Sequence, residues 1–445
     1  MSEQQEYVYD INRKHSDKSS KNFLLACHIF KKITSLFVST FLIGHIYSFS
    51  GNIFGYIRNV AVFNIFVYLS MMLFYMLFSI FVDKTNRVVF YRISIVVTTV
   101  LVIIIIAFGK ELAQLLILAG SLHGLSEALY YSSYNVIKEE MVGKSSIGKY
   151  VTLTTVLLEA VNTICPILLG LLIDVTTYSE TAIVVSVICA IQFGLTFGIK
   201  CQRPKDSHYS LREYKQQLKT SPVAKELKFL YITCLVYGVT SLTSMLINVY
   251  VMMNFGSNFS LGAITAIYSL MAVVSLLLFK RFTTTHNRKP VFISCTTLIV
   301  LAGIIFVTFP CKATVIMLNI VIAMTATLHA DLLETYRFSI LKQAGLYNQI
   351  AEHQTLIENR FNISRTLSFI LLLIVSLFKN DLVLSIFIVI ILAILSSVQI
   401  LLLFFEKKYI IPQENNTATA VVDKSTTPEE TKAENNKETD TENKQ

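Results

Sequence analysis

Apolar runs of about 20 residues alternate with short polar connectors along most of the chain. The runs fall at 29–49, 60–82, 88–108, 112–137, 150–174, 181–199, 229–253, 261–279, 290–309, 313–337, 357–378 and 381–405. A helix of about 20 residues crosses a hydrocarbon core of about 30 Å. Lipid offers the backbone no hydrogen-bond partner, so each run is predicted to be a membrane-spanning helix. Alternating-strand patterning, the sign of a membrane barrel, is missing from the sequence. The expected fold class is an all-α polytopic membrane protein, with twelve transmembrane helices arranged as two pseudo-symmetric six-helix bundles.

The connectors divide the chain. Residues 1–28 are expected to form a cytoplasmic N-terminal segment, 29–199 one six-helix bundle and 229–405 the other. Between them, 200–228 is the longest internal connector. In it Leu211, Tyr214 and Leu218 recur at helical spacing among Arg212, Lys215 and Lys219, which suits an amphipathic helix on an anionic leaflet. A solvated linker is the alternative. Residues 406–445 are expected to be a disordered cytoplasmic tail, being rich in Thr, Glu, Asn and Lys.

Of 445 residues, 53% are hydrophobic and only 15% charged. Length alone would allow two or three soluble domains, but the apolar runs make one polytopic unit. The net charge of +9 invites a nucleic-acid reading, yet the Lys and Arg sit in the short connectors, so no nucleic-acid partner is expected. Connectors from even to odd spans hold Lys84, Arg87, Arg92, Lys138, Lys144 and Lys149, and the opposite set is poorer. By the positive-inside rule both termini face the cytoplasm of a cell-membrane protein. No cleavable signal peptide is visible, so the first span is expected to act as an uncleaved anchor. The seven cysteines occur singly, without CxxC spacing, and read as small buried apolar residues.

Two spans carry polar clusters half a hydrophobic chain apart. The first holds His123, Glu127, Tyr130, Tyr131 and Tyr134, and the second His329, Asp331, Glu334 and Arg337. Their recurrence points to a two-fold repeat, the build of many secondary transporters. At 1.5 Å per residue, Glu127 lies about 16 Å from the basic edge at Lys138, near mid-membrane. Ionisable groups at that depth are expensive, which makes them functional candidates. Glu127 with His123, or Asp331, can carry a proton there. Arg337 lies within reach of Glu334, which lowers the value of Glu334 as a proton carrier. Structural hydrogen bonds between helices are the competing reading. Span seven adds Asn248 with several hydroxyls, able either to bind a solute or to join helices. No zinc-like ligand spacing, nucleotide loop or hydrolase motif occurs, so no metal, cofactor, ATP-driven step or catalytic residue is expected.

The connector after span two reads Ser79-Ile-Phe-Val-Asp83-Lys84-Thr85-Asn86-Arg87. It resembles the loop signature of the major facilitator superfamily, with Asp83, Lys84 and Arg87 matching and Ser79 and Asn86 in place of glycines. The matching connector in the second half keeps Asn287 and Arg288 but has Thr284 where the aspartate would be. The resemblance implies two bundles rocking about a central cavity lined by spans one, four, seven and ten. It also implies that Asp83 contacts the start of span eleven and latches the inner gate. Span five keeps Pro166 and Gly170 of an element found in exporters of that superfamily. In a pseudo-symmetric fold Glu159 and Arg365 would occupy equivalent places, so Asp83, Arg87, Glu159, Arg337 and Arg365 are the candidate gating residues.

The functional expectation is a monomeric secondary active transporter that moves a small organic solute across the lipid bilayer by alternating access. Proton coupling and a slight inclination to efflux belong to that expectation. Acidic and imidazole groups of both bundles would meet in one wet chamber at mid-depth. Two rivals are weighed beside it. One is a sensor or assembly protein that kept the fold and lost transport, favoured by the missing loop glycines. The other is a membrane enzyme with Glu127 and His123 as acid–base pair.

Overall fold

The computed structural model describes residues 18–82, 85–142, 147–200, 209–282, 288–343, 346 and 349–405. Among them all regular structure is helical. The first span is α1 (Lys18–Leu36), a π-helical turn at Phe37–Phe41, and α2 (Leu42–Phe49). Next come α3 (Ile53–Val82), α4 (Arg87–Phe108), α5 (Leu116–Val142), α6 (Ile147–Val175) and α7 (Tyr178–Leu195). The linker holds α8 (Leu211–Thr220). The second half consists of α9 (Ala224–Tyr237), α10 (Thr240–Phe255), α11 (Asn258–Phe282), α12 (Arg288–Thr308), α13 (Lys312–Gln343), α14 (Ile350–Leu377) and α15 (Asp381–Phe405). Ten stretches among the described residues are long and apolar enough to cross a membrane; Arg87–Lys138 holds two crossings, and the shorter apolar helix Lys312–Ala326 completes the twelve.

Leu73, Ile103, Leu168, Leu277, Leu367 and Ile390 are exposed on the outside of the bundles. Such surface is stable only against acyl chains. The polar termini obey local rules: Asn86 accepts from the Val88 N–H at 3.1 Å and caps α4.

The halves meet along two seams, α3 against α14 and α6 against α11. The second is the tighter. A Cβ on Gly262 would run into the carbonyl of Pro166, and one on Gly170 into that of Asn258. Small residues let the two backbones touch. Pro166 has no N–H to offer the carbonyl four residues back, that of Asn162. The Ser269 hydroxyl of α11 donates to that carbonyl at 3.4 Å. A helix-breaking residue is thus answered across the seam.

At the end away from the linker, Asp174 closes this seam. Its carboxylate accepts from Ser257 Oγ (2.8 Å), Asn258 N (3.1 Å), Asn258 Nδ2 (2.9 Å) and Phe259 N (2.8 Å). A carboxylate from the first half therefore caps the first turn of a helix in the second, where unpaired N–H groups and the helix dipole favour negative charge.

At the linker end, α8 docks on the second half. Tyr214 is fully buried with Leu341 and Leu346. Its hydroxyl shares hydrogen bonds with Tyr231 (3.1 Å) and with Nδ1 of His353 (2.9 Å). Burial, with the Tyr231 hydroxyl close by, pushes the Tyr214 phenol well above its ordinary range, so it stays a proton donor. Ser210 caps α8, and its own N–H donates to Glu352 at 3.1 Å.

Candidate functional site

Both halves depart from regular α-helix within their first crossing. In the first half the π turn at Phe37–Phe41 widens the helix, and Ser39 and Thr40 lie in it. In the second, α9 stops at Tyr237 and α10 begins at Thr240, with Gly238 pressed against Ser364 of α14. Such breaks redirect side chains and free backbone groups, and π turns often mark working sites.

Between these breaks lies a chamber of ≈ 440 Å³. The first half contributes Ser39, Thr40, Ile43, Asn64 and Tyr68. The second contributes residues of α9, α10, α11, α13 and α15, among them Tyr237, Ser241, Asn248 and Tyr268. Asn64 spends its amide on the Val60 carbonyl (2.9 Å), which leaves its own carbonyl as an acceptor. Tyr268 is hydrogen-bonded to Ser244. Among the described residues the lining carries no lysine, arginine, histidine, aspartate or glutamate.

Charge lies around the chamber. Arg365 of α14 stacks over the Tyr68 ring at 5.3 Å and donates to Asn362 at 3.1 Å. On the other seam, Glu159 of α6 neighbours Tyr268. Glu159 also lies within electrostatic range of Lys32 of α1, which sits seven residues before Ser39. Each seam thus presents a chamber tyrosine with one charge behind it, positive at one seam and negative at the other. Tyr131 of α5 is exposed, with Tyr68, Glu358 and Arg365 as neighbours.

Glu127 is elsewhere. It is buried inside the first bundle and paired with Lys31 at 2.8 Å. Lys31 also donates to Ser126 (3.0 Å) and Thr98 (3.3 Å), so α1, α4 and α5 converge on one ammonium. A buried carboxylate holds its charge only with such partners. His123, one turn before Glu127, is buried and stacks on Phe63 with ring centroids 6.2 Å apart. Beside the pair, His28 bonds to the Tyr130 hydroxyl and stacks on Tyr134 at 4.1 Å.

Of the remaining expected residues, Asn248 lines the chamber, half-buried. Arg337 is buried and donates to Gln354 at 2.9 Å, and Gln354 donates to Glu358 at 3.3 Å. Arg87 opens α4 and is buried. Asp83 and the side chains of His329, Asp331 and Glu334 lie outside the described residues. Among the described residues no cluster of His, Cys, Asp and Glu is suited to hold a metal ion.

Sequence reading passed over Lys31, Lys32 and the first-half lining, while span-seven hydroxyls beside Asn248 that it offered do line the chamber. The helix of the first crossing is already formed at Lys18, and placing its start at 29 set both lysines at the membrane edge. Two lysines beside a glutamate-bearing span were the available signal. For Ser39, Thr40 and Asn64 there was none, since lone polar residues also join helices.

Two helical halves enclose the chamber between them. The profile of the Major Facilitator Superfamily matches residues 24–334, and the chain belongs to that family of secondary transporters. No curated protein sequence matches it significantly. Among solved structures, a bacterial homologue of the iron transporter ferroportin in an inward-facing state aligns with a TM-score of 0.65 at 11% identity, over 87% of this chain and 99% of that one. The nucleoside transporter NupG aligns with a TM-score of 0.60 at 12% identity, over 89% and 100%. A bacterial metal transporter aligns with a TM-score of 0.60 at 12% identity, over 87% and 99%. Identities this low establish the shared fold alone.

Proposed function

We propose that the protein carries a small organic solute through this chamber by alternating access, driven by a proton gradient. The observation that carries the reading is the chamber itself, lined from both halves at the point where each half breaks its first helix. The α6–α11 seam, fastened by Asp174 at the end away from the linker, supports a reading in which the present arrangement opens toward the linker. The basic connectors put the linker end in the cytoplasm of a cell-membrane protein. One chain completes the chamber, so the working unit is a monomer.

Coupling is assigned to the Lys31–Glu127 pair. Helix α1 carries Lys31 and continues into the chamber at Ser39 and Thr40. A proton on Glu127 cancels the attraction that holds Lys31, and α1 is then free to shift the chamber wall. The device drives transport because the proton affinity of Glu127 differs between paired and unpaired states.

The test is reconstitution in liposomes with an imposed pH gradient and a panel of solutes, repeated with Glu127→Gln. The wild type is expected to accumulate a solute against its gradient, and the variant to exchange it without accumulating it. The gradient polarity that drives accumulation reads the direction; export is expected from Pro166 and Gly170. Unchanged accumulation by the variant would remove Glu127 from the mechanism. Binding without any movement would favour the sensor reading.

A further inference from the structure

We propose that the chamber selects an uncharged solute rich in hydroxyl groups, of monosaccharide to nucleoside size. The inference deepens the transport reading above and rests on it.

The first ground is what the lining lacks. Its described polar groups are hydroxyls and amides on both halves, and among the described residues no ionised side chain lines it. An ion entering such a space gives up water and finds no counter-charge, a large penalty in a low-dielectric interior. Of the nearby charges, Glu127 is held by Lys31, and Arg365 donates to Asn362 and stacks over the Tyr68 ring. Tyr68 and Tyr268 both line the chamber and lie next to Arg365 and Glu159 respectively.

The second ground is unspent hydrogen-bonding capacity. Ser39, Thr40 and Tyr68 from the first half, and Ser241 and Asn248 from the second, make no side-chain hydrogen bond with a described residue. Hydroxyls both donate and accept, and the Asn248 amide offers two donors and an acceptor. That mixed set answers a solute whose own groups do both, as alcohols do. It is poorly matched to a carboxylate or phosphate, which only accepts, or to an ammonium, which only donates.

The third ground is shape. The ≈ 440 Å³ lies within the range of small-molecule sites, roughly 300–1,000 Å³. Tyrosine faces at 68, 237 and 268 give flat apolar walls for a sugar ring or a planar base. A solute touching both halves also tells them when to close, since Asn248 and Thr40 lie on opposite bundles.

The test uses related probes of different charge: glucose, glucosamine and glucuronate, and uridine with uridine monophosphate. Equilibrium binding of radiolabelled probes to the purified full chain is measured first, then counterflow in liposomes. A neutral member of a set is expected to bind about tenfold or more tightly than its charged partners, a gap of about 1.4 kcal/mol. Asn248→Leu is expected to abolish that binding, and Asn248→Asp to turn preference toward glucosamine; size-exclusion profiles control for folding. Competition among the unlabelled probes on the wild type gives the same answer without any variant. Equal or tighter binding of a charged member overturns the proposal, and so does silence of every neutral probe at millimolar concentration. A neutral probe that binds but shows no counterflow leaves the chamber chemistry standing and overturns the transport reading. Counterflow of charged members alone does the reverse.

Discussion

The interior of the first bundle and the chamber between the halves are both polar places in an apolar protein, built from opposite materials. The first is ionic and closed: Lys31 spends its ammonium on Glu127, Ser126 and Thr98, and all of these groups are buried. The second is neutral and open-handed, with hydroxyls and an amide that find no partner among the described residues. The difference teaches what each kind of group is suited to. A full charge in a low-dielectric interior must be answered by the protein itself, so it locks helices together. A hydroxyl is cheap enough to be left for a visitor.

The sharpest way to break this contrast is to remove one member of the ionic pair. Lys31→Met leaves the Glu127 carboxylate buried without its cation, at an expected cost of about 3–5 kcal/mol. The thermal midpoint in detergent should fall sharply. The double variant Lys31→Met with Glu127→Leu should recover most of the loss, because no charge is then stranded. A single variant as stable as the wild type would show that the pair fastens nothing.

A smaller effect is expected at the edge of the α6–α11 seam. Asp174→Ala removes the cap that the first half places on α11, worth about 0.5–2 kcal/mol for an N-cap. The site is exposed, so the fold should survive and the balance between open and closed far ends should move instead. An increase of up to roughly tenfold is expected in labelling of a Ser39→Cys probe by a membrane-impermeant thiol reagent from the far side. The exposed Cys311 must first be changed to serine. Labelling that does not change would demote Asp174 to a surface residue.

The contrast also explains what the sequence disclosed. Twelve crossings were legible because lipid imposes a length and a composition on every one of them. Their ends were not: the second helix starts at Ile53, well before residue 60, because nothing in the pattern marks where a helix leaves the bilayer. Glu127 stood out because a carboxylate is rare at that depth, but the same rarity means that it arrives with a partner. Its partner stayed hidden because Lys31 looked like flanking charge. Glu159 and Arg365 were placed as pseudo-symmetric equivalents, and they lie on the two different seams, each near a chamber tyrosine. Of the candidate binding residues whose side chains are described, Asn248 lines the chamber while His123 and Glu127 do not; serine, threonine and asparagine look alike in a sequence whether they join helices or greet a solute.

The smallest expected effect on stability falls in the chamber and completes the comparison. Thr40 and Ser241 line it from opposite halves and make no side-chain hydrogen bond with a described residue. Removing a hydroxyl that the protein itself does not use strands nothing. Thr40→Val keeps the branched shape, and Ser241→Ala deletes one atom at the chamber wall. Each should leave the thermal midpoint within the equivalent of about 0.5 kcal/mol of wild type. Bound solute, in contrast, loses a partner worth about 0.5–1.5 kcal/mol, so its affinity should drop by several fold. Stability and binding are therefore expected to separate here and to fall together at Lys31. If Thr40→Val unfolds as readily as Lys31→Met, the hydroxyl belongs to the architecture, and the line drawn between locking charges and waiting hydroxyls is wrong.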